Sequence, residues 1–172
     1  MVAERLRDEK IDAVYSSNLR RARETAEIIA RPHGLPVQVI EELGEMNFGD
    51  WEGMTAQEIK DKYGEQAYRT WLEDPVNAEI SGGDKITEFA ERVIRGFDRI
   101  IQAHKDDTVV VATHGGALMV LGCHLHGDDL SCFRKYYHHN AALSVVELEG
   151  DVLQIKQLNY REHLRGFGEK TT

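Results

Sequence analysis

Apolar residues recur along this chain with two periods, and the changes of period mark out its elements. Val2, Ala3 and Leu6 share one side of a short helical pattern that runs to Glu9. Ile11 to Tyr15 is an apolar run of strand length. After the polar break Ser16-Ser17-Asn18, the apolar positions Leu19, Ala22, Ala26 and Ile29 fall at helical spacing, so strand, loop and helix are expected in succession. Pro32, Gly34 and Pro36 end that helix, and Val37 to Ile40 reads as a second short strand. Thr55-Ala56-Gln57-Glu58 has capping-box spacing, in which hydroxyl and carboxylate reciprocally satisfy free amides, and it predicts a helix over about 55–62. Phe89, Val93, Phe97, Ile100 and Ile101 lie on one face of what should be the longest helix. Thr108 to Ala112 has the β-branched enrichment of a strand buried on both faces, and Thr113-His114-Gly115-Gly116 leads into a helical stretch at 117–125. Leu143 to Leu148 and Val152 to Leu158 flank Glu149-Gly150-Asp151 as a hairpin.

Strands that alternate with helices predict an α/β domain with a mainly parallel sheet. Its 172 residues, 41% hydrophobic and 30% charged, suit one globular domain over 1–172. The 21 Lys and Arg against 30 Asp and Glu leave a net charge of −9, which disfavours nucleic acid or an anionic membrane as partner. Attraction of an anionic substrate must then come from a local basic pocket. No apolar run approaches the roughly 20 residues that cross a bilayer, and the start lacks a secretion signal's apolar core, so a cytoplasmic protein is expected. Cys123 and Cys132 form no CxxC and read as two reduced, buried side chains.

Ligands of parallel α/β sheets bind beyond the carboxyl ends of strands, where loops enter helices. Two loops stand out there. Ser16-Ser17-Asn18 offers free amides at a helix start, and Arg20, Arg21 and Arg23 add guanidinium groups able to clamp a phosphate; the same arginines also fit a solvated surface. His114 ends a strand and is followed by glycines that admit a ligand close to the backbone, although a loop histidine has the same local look. Between Glu41 and Gly53, several carboxylates stand beside Phe48 and Trp51, whose apolar surface would favour a protonated carboxyl; an acidic surface loop is the alternative. Eight histidines include the adjacent His138-His139 and the alternating His124 and His126, spacings that match no metal-ligand set well. No cofactor or metal is expected.

In wording and order these motifs resemble the histidine phosphatase superfamily, the phosphoglycerate-mutase-like proteins, over nearly the whole chain. Ser16-Ser17-Asn18-Leu19-Arg20-Arg21-Ala22-Arg23-Glu24-Thr25 is similar to its phosphate-binding segment, with Arg21 and Ser17 on the phosphate. Glu45, within Leu43-Gly44-Glu45-Met46-Asn47-Phe48-Gly49-Asp50-Trp51-Glu52-Gly53, is similar to its acid/base glutamate. Ser81-Gly82-Gly83-Asp84 resembles its Gly-Gly-Glu turn with aspartate for glutamate, His114-Gly115 its second pocket histidine, and Asn140 and His163 lie where its last strand and C-terminal segment lie. The resemblance implies a three-layer α/β/α sandwich and cofactor-free phosphomonoester hydrolysis through phosphohistidine. Arg21 and a protonated or donating His114 would neutralise the nonbridging oxygens, and Glu45 would protonate the leaving oxygen and then activate water. Phe48 to Gly53 resembles the small phosphatases, including the alpha-ribazole phosphatase-like proteins, more than the glycolytic mutases. A small phosphorylated metabolite is the expected partner. Its identity would be set between Gly53 and Gly82, where Tyr63, Tyr68 and Trp71 either line a lid or pack on the core.

The resemblance also implies an Arg-His-Gly at the end of a first strand, whose histidine is the nucleophile, and residues 1–172 contain no Arg-His-Gly. His33, in Arg31-Pro32-His33-Gly34, follows a helix rather than a strand, and His126-Gly127 fails for the same reason. Expected in consequence are a sheet missing an inner strand, impaired turnover or plain phosphate binding, and pairing of the incomplete sheet with a second copy.

Overall fold

A computed structural model describes residues 1–165. The chain folds as α1 (Val2–Arg5), β1 (Ala13–Ser16), α2 (Arg20–Ala30), β2 (Val37–Val39), α3 (Ala56–Tyr63), α4 (Glu65–Glu73), α5 (Ile86–Ala103), β3 (Val109–Ala112), α6 (Gly115–His126), β4 (Leu143–Glu149) and β5 (Val152–Tyr160). Short 3-10 turns lie at Glu41–Leu43, Gly49–Trp51 and Leu130–Tyr136.

β1 is the middle strand of a parallel sheet ordered β2-β1-β3, with Val14 opposite Val37 on one side and Val110 on the other. Because side chains alternate along a strand, the sheet has two apolar faces. Val14, Val37, Val110 and Ala112 pack with Ala26 and Ala30 of α2, whereas Ala13, Tyr15, Val109 and Val111 join the large core built with Phe89, Val93 and Ile100 of α5 and Ala117 and Val120 of α6. Helices thus cover both faces, as a three-layer sandwich requires. β4 and β5 pair antiparallel as a separate two-stranded sheet.

Two expectations need correction. β3 is less buried than its apolar run suggests: core packs on both its faces, but each of its residues keeps partial exposure because β3 is an edge of the three-stranded sheet while β1 takes the buried centre. Cys123 is buried, which pushes its thiol up to about 11, but Cys132 is exposed in the turn after α6. The segment between Gly53 and Gly82 holds a second helix, α4, entered through Gly64 at φ +92°. Trp71 on α4 is buried in the core and Tyr63 on α3 packs against that core, and Trp71 also walls a hollow of about 280 Å³ with Phe48, Trp51 and Tyr68.

Candidate active site

The carboxyl ends of β1 and β3 are neighbours in register, Ser16 opposite Ala112, so the loops that follow them are brought together. Ser17 is fully buried, and its N–H donates to the Ala112 carbonyl at 3.1 Å, continuing the ladder into the loop. Its hydroxyl accepts the Leu19 N–H at 3.3 Å, where α2 begins. His114, the residue before α6, is 6% exposed and its Nε2 lies 2.6 Å from the Ser17 hydroxyl. Burial, with the positive charge of Arg21 adding to it, lowers the His114 pKa to about 4. His114 is therefore a neutral imidazole near pH 7, one ring nitrogen carrying a proton and the other a lone pair, rather than a cation.

Of the arginines in this segment, Arg20 is engaged on the surface with Glu24 at 2.6 Å. Arg21, in the first turn of α2, is the one whose charge reaches His114.

Glu45 arrives from the loop after β2. Thr113 ties that loop to the end of β3 by donating its hydroxyl to the Leu43 carbonyl at 2.7 Å. The Glu45 carboxylate accepts the Gly116 N–H at 3.1 Å and the Met46 N–H at 3.0 Å. It therefore sits at the start of α6, against the free amides of that helix's first turn. Phe48 packs edge-on to Trp71, and Trp51 packs on Tyr63 and Tyr68. The groups bonded to the Glu45 carboxylate are backbone amides, not the aromatics that sequence reasoning set beside it.

Arg21, Ser17, His114 and Glu45 are thus brought together, while Tyr63 and Trp71 belong to the packed α3–α4 layer. His33 lies in the 3-10 turn Arg31–His33, off the strand ends. His163 bonds the Ala141 carbonyl at 3.0 Å and stacks on Tyr160. His138 has both ring nitrogens bonded within the protein, to the Tyr136 carbonyl and to Ser144. Among the described residues, no three His, Cys, Asp or Glu side chains gather as metal ligands, and no helix is long and apolar enough to cross a membrane. Sequence reasoning missed Arg92 on α5, which donates to the carbonyls of Glu42, Gly44 and Glu45. The signal was present: Arg92 lies three residues after Phe89 and four before Gly96, both buried, so a charge stands on the buried face of an amphipathic helix.

The family model of the histidine phosphatase superfamily, branch 1, matches residues 1–161. Phosphoserine phosphatase 1 of Hydrogenobacter thermophilus is 34% identical over 167 residues, which are 97% of this chain and 79% of that protein. Adenosylcobalamin/alpha-ribazole phosphatase of Escherichia coli is 29% identical over 150 residues, 87% of this chain and 73% of that protein. Among solved structures, YhfR of Bacillus stearothermophilus superposes with a TM-score of 0.89 at 26% identity, covering 95% of this chain and 81% of that one.

Proposed function

The chain belongs to the histidine phosphatase superfamily and is a phosphatase, and from that premise we propose that its site hydrolyses small phosphomonoesters through a phosphohistidine intermediate. The observation that carries this reading is the convergence of Arg21, Ser17 and His114 beyond the carboxyl ends of β1 and β3, with Glu45 at the start of α6. A guanidinium, a neutral imidazole N–H and a buried hydroxyl form a donor set for the nonbridging oxygens of a phosphate. A carboxyl group beside them can give a proton to the leaving oxygen and later take one from water.

The nucleophile is the remaining part. Residues 1–172 contain no Arg-His-Gly, and β3 carries an edge that no described residue pairs. We infer that a strand ending in Arg-His-Gly completes the site and that turnover by these residues alone is impaired. Phosphatase assays with p-nitrophenyl phosphate, on this chain and on the chain preceded by such a strand, test the proposal. Activity is expected with the strand and near background without it; equal activity in both overturns it. A second reading, phosphate binding without turnover, is favoured by the donor set itself, which needs no nucleophile to hold an anion. Calorimetry with vanadate reads it directly. The name of the Hydrogenobacter relative makes phosphoserine the first natural ester to assay.

A further inference from the structure

Glu45 lies on neither helix nor strand, in the loop between the 3-10 turns Glu41–Leu43 and Gly49–Trp51. A proton donor must be held to within a fraction of an ångström, so something else has to fix it. The guanidinium of Arg92 reaches across from α5 and bonds the main chain on the N-terminal side of Glu45 and at Glu45 itself. Its Nη1 donates to the carbonyls of Glu42 at 2.9 Å and Gly44 at 3.1 Å, and its Nη2 to that of Glu45 at 3.3 Å. The same Nη2 donates to Asp84 Oδ2 at 3.3 Å, and that oxygen accepts the Asn47 N–H at 3.1 Å. The loop is therefore gripped on both sides of Glu45 by one ion pair.

The surroundings are shaped to this contact. A Cβ on Gly96, one turn beyond Arg92, would come within 2.8 Å of Glu42 Cβ, so its absence lets the loop lie on α5. A Cβ on Gly44 would stand 3.1 Å from Asn18 Oδ1 and 3.5 Å from Arg92 Nη1, which places the loop between α5 and the entry to α2. The Arg92 guanidinium stacks 5.0 Å from the centre of the Phe89 ring, next to Gly116. Planarity and several fixed donors are what let one side chain hold three carbonyls and a carboxylate, and a lysine cannot reproduce that fork.

We propose that Arg92, braced by Asp84, is a positioning residue that presents the Glu45 carboxylate at the Gly116 amide. Its consequence for catalysis rests on the reading of Glu45 as the proton donor; the geometric claim is independent of it. The test is amide spectroscopy of the full chain labelled with ¹⁵N. The response read at Gly116 is its amide shift and exchange rate, which report the carboxylate that the amide donates to, and Glu45→Gln alters both. Arg92→Met is expected to move the shift in the same direction as Glu45→Gln and to speed Gly116 exchange about tenfold or more, the loss of roughly one charge-assisted hydrogen bond. The Val14 and Val110 amides keep their protection. Arg92→Lys recovers part of the response, and Arg99→Met, which removes an exposed partner of Glu42 on the same helix, changes nothing at Gly116. Asp84→Asn serves as the milder variant and should give a smaller change of the same sign. An unaltered Gly116 response in Arg92→Met overturns the proposal, and so does an equal loss of protection at Gly116, Val14 and Val110. Absence of phosphatase activity in the strand-completed chain would sink the proposed function while leaving these readings intact.

Discussion

Replacing Gly116 with alanine separates the placement of Glu45 from the stability of the fold. A Cβ at Gly116 would stand 2.3 Å from Glu45 Oε1 and 3.2 Å from its Cδ, with Phe89 next at an ordinary 3.5 Å. The atom in the way is the tip of a flexible side chain, so the carboxylate moves and the backbone stays. Restoring normal contact needs a shift of about 1 Å, and a misplacement of that size costs on the order of 100-fold in rate. Alanine favours the helix by roughly 0.5–1 kcal/mol over glycine, which offsets part of the roughly 1.5–3 kcal/mol of the lost amide–carboxylate bond, so Tm should fall by only several degrees. Gly115 provides the matched control, because its Cβ would meet nothing within 4 Å. The assay compares two esters in the strand-completed chain. Nitrophenolate leaves without a proton, whereas the alkoxide of phosphoserine must receive one. Gly116→Ala should lower kcat/KM, which reads only the first phosphoryl transfer and not the water step shared by both esters, about 100-fold for phosphoserine and less than tenfold for p-nitrophenyl phosphate, with Gly115→Ala near native on both. Equal losses of kcat/KM on the two esters, or a native kcat/KM for phosphoserine, would refute the assignment of Glu45 as the acid.

Three further outcomes follow from the geometry. The His114 pKa is held at about 4 against an ordinary 6.5, so the folded state resists protonation; its contribution is complete above pH 6.5 and is lost as pH falls toward 4. Urea titrations of the native chain and His114→Gln should therefore diverge below pH 6.5, the native chain losing about 2 kcal/mol more by pH 5, and parallel curves would contradict it. Gly49→Ala would put a Cβ 2.2 Å from the Ser81 carbonyl oxygen and 2.4 Å from backbone atoms of Gly82 and Gly83 at a φ of +50°, where no flexible atom can yield. A loss of about 2–4 kcal/mol in urea unfolding is expected, and less than 0.5 kcal/mol would show that the two loops are not in contact. The edge of β3 that no described residue pairs predicts self-association, read by sedimentation velocity as a dimer that dissociates when a complementing strand is added; a monomer throughout would refute pairing through the sheet.

What the sequence made legible was local. The capping box at Thr55 formed as spaced, with the Thr55 hydroxyl accepting the Glu58 N–H and the Glu58 carboxylate accepting the Thr55 N–H at 2.8 Å. The strand–loop–helix units around Ser17 and His114 came from periodicity alone, and their meeting followed from a rule about parallel sheets rather than from any residue. What stayed hidden was set by partners distant in the chain. Helix α4 was obscured because only Gly64 separates it from α3, and the sequence alone does not show that Trp51 packs on Tyr68 and Phe133 on Trp71. The exposure of β3 depends on strand order, which β-branched residues do not encode.

The setting of Glu45 is the clearest case. Read locally, its neighbours are Phe48 and Trp51, and desolvation by aromatics is the natural inference. In the fold it meets Gly116, 71 residues away, across a gap that alanine would close. Two features of the long helix decide this: Arg92 grips the loop and Gly96 admits it, both on the face that the hydrophobic pattern had already assigned to the core. A charge and a glycine inside an apolar stripe look like flaws in the pattern. Here they mark the place where the core is given over to holding the loop that carries Glu45, and departures from periodicity of this kind are the part of a sequence in which the placement of a proposed catalytic group can be sought.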